Sequence, residues 1–477
     1  VQRADGTTGD VQRIVVIGGG PAGYEAALVA RQYGAAVTVI ERDGAGGACV
    51  LTDCVPSKTL IASASGMTAF TEASELGIRL SDAADGAPVD NVTVDLAVIN
   101  RRVRRLAQSQ SGDIRRRLVR DGVEVLTATA HLVAPHQVRV AEGDDIGRVL
   151  EADAVLLATG ATPRVLEGSE PDGERILSWR ELYALKEIPE HLVVIGSGVT
   201  GAEFASAYLQ LGSQVTLVSS RDRVLPGGDE DAALQLEEVL TRRGMTILKH
   251  ARAEKVRRDV DGVVVELADG RTVIGSHALV AVGVVPNTSG IGLEDVGVAM
   301  DRGFVTIDKV SRTNVAGVYA AGDCTGVLML ASVAAMQGRT AMWHVLGEAV
   351  APIRFGTVSS TIFTDPEIAS VGVSQEDVES GRVTAETLRL PLATNARAKM
   401  QGIGDGFVKL FARPGSGTVL GGVVVAPRAS ELILPLSLAV QHGITVGQLA
   451  HTFAVYPSLS GSITEAARQL MVKTVTA

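Results

Sequence analysis

The chain writes one short pattern twice. A β-branched run, Arg13–Ile17 (RIVVI), leads into Gly18-x-Gly20-x-x-Gly23, an Ala-rich stretch suited to a helix, and a second apolar run at 36–40 (AVTVI). Later His191–Ile195 (HLVVI) leads into Gly196-x-Gly198-x-x-Gly201, another helix-compatible stretch, and Gln214–Val218 (QVTLV). The second turn begins at Gly196, 178 residues after Gly18. Short apolar runs without polar alternation read as strands buried on both faces of a parallel sheet. Two such strand–turn–helix–strand units predict an α/β chain with two Rossmann-like domains. The long spacing excludes a short-period solenoid.

Each glycine has a mechanical reason. The first allows the tight turn, the second lets the backbone approach a pyrophosphate, and the third lets helix and strand pack closely. The phosphates would sit at a helix N-terminus. In the first unit Glu41 ends the next strand, 18 residues after Gly23, and is placed to accept hydrogen bonds from a ribose diol. In the second unit that position holds Ser219, followed by Ser220, Arg221, Asp222 and Arg223. A carboxylate would repel a 2′-phosphate, whereas Ser and Arg would accept it. NADPH is therefore expected to be preferred, with NADH the weaker ligand. Two dinucleotide sites in one chain suggest electron flow between a bound flavin and a diffusing nicotinamide.

Composition removes other classes. The chain has 477 residues, about three domains' worth. Lys plus Arg is 44 against 54 Asp plus Glu, a net charge of −10, and aromatics are 3%. This argues against nucleic-acid binding. No apolar run reaches the length of a membrane span. Residues 1–10 are polar and read as a short disordered lead-in rather than a secretory signal, so a cytoplasmic address is expected. The arginines between 92 and 120 are expected to line a solvated helix face. From about residue 351 short strands and helices without a Gly-rich turn predict an α+β domain. The expected boundaries are 11–163 and 276–350 for a split first domain, 164–275 for the second, and 351–477 for the last.

Three cysteines do not make a disulfide scaffold. Cys49 and Cys54 are more readily a redox pair, because four intervening residues let one helical turn bring the sulfurs together. Their spacing does not match zinc knuckles, and no metal is expected. Cys324 reads as a small buried residue.

The segment Gly46-Gly47-Ala48-Cys49 through Cys54-Val55-Pro56-Ser57-Lys58 resembles the flavoprotein disulfide reductases, among them lipoamide dehydrogenase, glutathione reductase and mercuric reductase. The likeness runs from about residue 11 to about 472. It also rests on both glycine turns, Ala158-Thr159-Gly160, the AAGD ending at Asp323, and FTDPEIASVG from Phe363 to Gly372. The resemblance implies FAD in the first unit, with Gly18, Gly20, Gly23, Glu41, Lys58, Gly160, Asp323, Leu330 and Ala331 around it. It implies NAD(P)H at Gly196, Gly198, Gly201, Glu203, Ser219, Ser220, Arg221 and Gly283. Lys58 would sit near the flavin and pair with Glu203. Cys54 would face the flavin ring and Cys49 would exchange with a disulfide. It also implies a homodimer built on the C-terminal domain, with dimer versus tetramer left open.

The pattern breaks near the C-terminus. Lipoamide dehydrogenase and glutathione reductase use a His-Pro there as acid–base, with a Glu five residues later. Here those positions hold Tyr456 and Gly461. Imidazole titrates near neutrality and a phenol near 10, so protonating a leaving thiolate loses its usual agent. Smaller departures are a missing Arg after Gly283 and Ser332 where lipoamide dehydrogenases often carry His. The chain resembles the actinobacterial branch of NAD(P)H quinone reductases, sharing Tyr-Pro-Ser-Leu-Ser-Gly-Ser. The expected function is FAD-dependent, ping-pong electron transfer from NADPH to a quinone. One alternative is a disulfide reductase using Cys49 and Cys54. The other is a vestigial flavin-binding regulatory protein, against which Lys58, Glu203 and both turns argue.

Overall fold

In the computed structural model, residues 11–71, 73, 77 and 92–476 are described. The expected lead-in at 1–10 lies outside them. The chain forms two compact units, one from Val1–Ser57, Arg101–Arg164 and Gly283–Arg354, the other from Lys58–Asn100, Val165–Val282 and Phe355–Ala477.

In the first unit, Arg13–Ile17 lies inside a seven-stranded sheet. It pairs in parallel with Ala36–Glu41 on one side and Ala154–Leu157 on the other, with Val16 opposite Val39 and Leu156. Val318–Ala320 and Glu124–Ala134 flank these, also parallel, and an antiparallel extension follows through Gln137–Gly143 and Val149–Glu151. Strand alternation splits the core: Ile14 and Val16 face one apolar cluster, Val15 and Ile17 the other. Helices Pro21–Gln32 and Ala331–Val345 contribute to the first cluster. They approach so closely that a Cβ on Gly338 would stand 2.2 Å from the Ala22 carbonyl oxygen.

The second unit repeats the architecture. Thr246–Leu248, Gln214–Val218, His191–Ile195, His277–Val280 and Ile176–Leu177 form an all-parallel sheet. An antiparallel three-stranded sheet, Ala253–Arg258, Val263–Leu267 and Thr272–Gly275, accompanies it. The boundary expected at 275/276 cuts this fold, because Ala278 pairs directly with Val193. The first expected domain is also not continuous from 11 to 163, since the chain from Lys58 to Asn100 groups with the second unit.

The C-terminal part is an antiparallel sheet in the order Ser359–Ile362, Glu367–Gly372, Val419–Ala426, Phe407–Ala412, Glu386–Pro391. Leu434–His442, Val446–Ala450 and Gly461–Thr476 contribute to its apolar core. Phe407–Ala412 is buried along its whole length, Lys409 included. That lysine is tolerated because Asp229 and Asp231 reach its ammonium at 2.8 and 2.6 Å.

Candidate active site

The two glycine turns have nearly the same geometry. Gly18 adopts φ +105° and Gly196 φ +110°, a region that strongly favours glycine. A Cβ on Gly18 would meet the Ala158 carbonyl oxygen at 2.2 Å, and one on Gly196 the Ala281 oxygen at 2.3 Å. Gly23 and Gly201 are forced by the same contact, 1.9 Å to Gly18 O and 1.8 Å to Gly196 O. A Cβ on Gly20 or Gly198 would meet nothing within 4 Å, and these two residues cap helices Pro21–Gln32 and Val199–Gln210. Open space thus lies at the helix N-terminus in both turns, where an anion is favoured.

In the first unit a cavity of ≈ 540 Å³ runs past the Gly18 turn. Its size falls in the range of about 300–1,000 Å³ typical of small-molecule sites. Glu41, Cys49, Asp53, Cys54, Gly160, Asp323 and Ala331 line it, with Asn287 and small residues such as Ala128 and Ala130. Glu41 accepts the Gly19 N–H at 2.6 Å through Oε2 and the Asp43 N–H at 2.7 Å through Oε1, bracing the loop it also faces. The donor set fits a flavin dinucleotide: a helix N-terminus for pyrophosphate, a carboxylate for a diol, and a second carboxylate, Asp323, for further hydroxyls. Leu330, expected beside the flavin, does not line this cavity; it precedes Ala331 as the N-cap of its helix.

The cysteines come together, but by another route than one helical turn. Cys49 lies in the short helix Gly47–Leu51, the backbone leaves helical geometry at Thr52, and Cys54 starts a new helix, Cys54–Thr71. The N–H groups of Thr52 and Asp53 both reach the Ala48 carbonyl across that break. The Cys49 thiol is pushed well above its ordinary value by its hydrogen bond with Cys54, then by burial and by the charges of Cys54, Asp53 and Asp323. Burial, with Asp53 nearby, raises Asp323 to about 6. The sequence did not single out Asp53, although its place between the cysteines was the available signal. Cys324 is fully buried, and burial lifts its thiol to about 11.

In the second unit Lys58 Nζ donates to Glu203 Oε2 at 2.7 Å. Glu203 is 3% exposed and its Oε1 accepts the Phe363 N–H at 2.9 Å. The ammonium also stands 4.9 Å from the Phe363 ring centre. Phe363 is thus a third member of this group, to which its place in the FTDPEIASVG segment assigned no role. Ser219 departs from expectation: it is fully buried, its hydroxyl 2.7 Å from that of Ser197 and accepting the Arg221 N–H at 3.1 Å. Such a side chain braces the loop and does not face a ligand. Ser220 and Arg221 are exposed. Gly283 takes φ +102°. Tyr456 is 84% exposed.

Residues 12–338 match the family described as pyridine nucleotide-disulphide oxidoreductase, and residues 358–467 match that family's dimerisation domain. A Mycobacterium tuberculosis protein named NAD(P)H dehydrogenase (quinone) is 56% identical over 97% of this chain and 94% of its own length. A dihydrolipoyl dehydrogenase of Chlorobaculum tepidum is 35% identical over 95% of this chain and 96% of its own. The crystal structure of LpdA from M. tuberculosis superposes with a TM-score of 0.90 at 56% identity, covering 97% of this chain and all of that one. The chain belongs to the pyridine nucleotide-disulphide oxidoreductase family.

Proposed function

We propose that the chain is an FAD-dependent NAD(P)H:quinone oxidoreductase, with NADPH preferred to NADH, acting as a homodimer in the cytoplasm. When bound, FAD supplies a two-electron carrier between nicotinamide and acceptor. The chain's own residues do the rest. The Gly18 and Gly196 turns would each hold a pyrophosphate, Glu41 and Asp323 would hold hydroxyls, and Lys58, steadied by Glu203 and Phe363, keeps a partly exposed cation for a negatively charged ligand.

The observation that carries the quinone reading is the pair of positions 456 and 461, which hold Tyr and Gly. The hydrogen bond with Cys54, burial and the charges of Asp53 and Asp323 also push the Cys49 thiol upward, and thiolate is the species that exchanges with disulfides. With Tyr456 and Gly461 where relatives of the disulfide-reducing kind carry His and Glu, thiol exchange lacks its proton donor. A quinone takes electrons without that step. The name of the 56% identical relative supports the same reading. The C-terminal match to a dimerisation domain supports the homodimer.

One observation favours a second reading, disulfide reduction: Cys49 and Cys54 are hydrogen-bonded to each other on the cavity wall. Steady-state NADPH oxidation by the purified protein distinguishes the two, comparing a naphthoquinone with lipoamide and glutathione disulfide. Quinone turnover should dominate. Disulfide turnover equal to it would overturn the main reading.

A further inference from the structure

The helix Leu96–Arg120 carries arginines at 101, 102, 104, 105, 115, 116, 117 and 120 against one acid, Asp113, in a chain of net charge −10. Its buried stripe is Val103, Ala107, Ile114 and Leu118, spaced as one helix face. Ile114 and Leu118 belong to the core beside the parallel sheet, so the apolar stripe is consumed by folding. Outward stand the arginines in two groups, 101–105 and 115–120, with exposed Gln108, Ser109 and Gln110 between them. At 100° per residue, Arg101, Arg102, Arg105, Arg116 and Arg120 share one outer sector of roughly 100°. Val119, 56% exposed, lies among them.

Many surface arginines elsewhere sit against a carboxylate, as Arg13 does with Asp153, Arg148 with Glu124 and Arg312 with Asp308. On this helix Arg116 has Asp113, while Arg117 and Arg120 share Asp121. Arg101, Arg102, Arg105 and Arg115 are exposed and make no ion pair with any described residue. Arg101 and Arg105 are one turn apart, a like-charge spacing that weakens a helix unless an anion lies over it. The array extends about 28 Å along the axis, far longer than a single small anion needs.

We infer that this helix face docks the protein on an anionic lipid surface. The occupant follows from charge and from the acceptor. A long row of guanidinium groups with an exposed valine complements a sheet of phosphate headgroups over hydrocarbon. Nucleic acid, the other extended polyanion, offers no hydrocarbon to the exposed Val119, and the 3% aromatic content gives no base-stacking platform. The purpose of docking rests on the proposed quinone reading. An apolar quinone partitions into a bilayer, and among the described residues no helix is long and apolar enough to cross one. Peripheral contact brings the enzyme to such an acceptor. The basic stripe would hold one face against the membrane reversibly, with salt weakening the contact.

Co-sedimentation of the flavin-loaded protein with vesicles tests this. Phosphatidylcholine vesicles are compared with vesicles that also contain phosphatidylglycerol, at low and high salt. The expected result is binding to the anionic vesicles only, lost at high salt. The variant Arg101→Gln/Arg102→Gln/Arg105→Gln/Arg115→Gln should weaken that binding several hundredfold, from about fivefold per arginine. Its flavin content and its turnover on a water-soluble naphthoquinone should stay unchanged, showing that the fold is intact. Equal binding to both vesicle types, unchanged binding in the variant, or capture of duplex DNA without vesicle binding would each overturn the inference. Sedimentation needs no turnover, so a failed quinone assay with intact vesicle binding removes the functional reading and leaves the docking face standing.

Discussion

Lys58 Nζ lies 2.7 Å from Glu203 Oε2, while the other oxygen of the same carboxylate accepts the Phe363 N–H. The side chains are unequally wet: Lys58 keeps about a third of its exposure and Glu203 almost none. Glu203 is therefore the member that depends on its partners, and Lys58 the member with access to a ligand. Lys58→Met leaves a buried carboxylate with one backbone donor. It should lower stability by about 1–3 kcal/mol in denaturant unfolding. Flavin bleaching by NADPH in stopped flow should slow by about 10²-fold. Normal bleaching in a stable variant would show that the ammonium has no part in the chemistry.

Asp323 gives a pH signature of the opposite sign to an ordinary paired acid. Its folded value is about 6 against an ordinary 3.8, so in that window the folded chain holds a proton that the unfolded chain has lost. Stability of the deflavinated protein should fall as pH rises through the window and then level off, the whole change being about 3 kcal/mol. Asp323→Asn should abolish the slope and be the more stable chain above the window. It should also retain FAD less well, measured by flavin release on dilution.

Arg221 and Ser219 separate two versions of the NADPH preference. The Arg221 carbonyl accepts the His250 N–H at 3.0 Å, which fixes the loop while the residue stays exposed. Arg221→Ala should raise the KM for NADPH about tenfold or more and leave that for NADH unchanged. Ser219→Ala removes an internal hydroxyl pair with Ser197 and should cost about 1 kcal/mol of stability without changing the NADPH to NADH ratio. Equal effects of Arg221→Ala on both nucleotides would mean that no 2′-phosphate is read there.

These cases show which parts of the site a sequence exposes. Gly23 and Gly201 were legible because their constraint is local, a carbonyl of the same turn that an added Cβ would overlap, and Gly18 and Gly196 because the tight turn takes a positive φ. Glu41 was legible because strand length fixes its place at the end of Ala36–Glu41. Ser219 shares that spacing, yet spacing locates a Cα and not the direction of a hydroxyl. The break at Thr52 and Asp53 was hidden because Cys-x4-Cys permits either one helix or two. Phe363 stayed without a role because its partners, Lys58 and Glu203, are remote in sequence.

Lys409 was wholly illegible for the same reason. It interrupts the apolar strand Phe407–Ala412 and is 1% exposed, and its partners lie far upstream. Its ammonium meets both oxygens of Asp229, at 2.9 and 2.8 Å. Asp229 also caps helix Glu230–Arg242 by accepting the Ala232 N–H. Lys409→Met should therefore cost about 3–5 kcal/mol, because it strands a buried carboxylate. Adding Asp229→Asn should recover part of the loss, since Asn removes the charge and still caps a helix. Urea unfolding of the single and double variants measures both steps, and no recovery would assign the effect to lost packing.

The cysteine pair decides the direction in which electrons leave. Cys49 and Cys54 line one cavity and hydrogen-bond to each other. That bond, with burial and the charges of Asp53 and Asp323, pushes the Cys49 thiol upward and disfavours the thiolate nucleophile. Alkylation of Cys49 by iodoacetamide should be slow near neutrality and accelerate as pH rises. Asp323→Asn should speed it by removing one of the charges that oppose the thiolate. If quinone reduction bypasses thiol exchange, the double variant Cys49→Ser/Cys54→Ser keeps naphthoquinone turnover close to that of the parent and loses any residual activity on lipoamide. A loss of about 10²-fold or more on the quinone, the scale expected when a reacting group is removed, would place the thiols on the electron path after all.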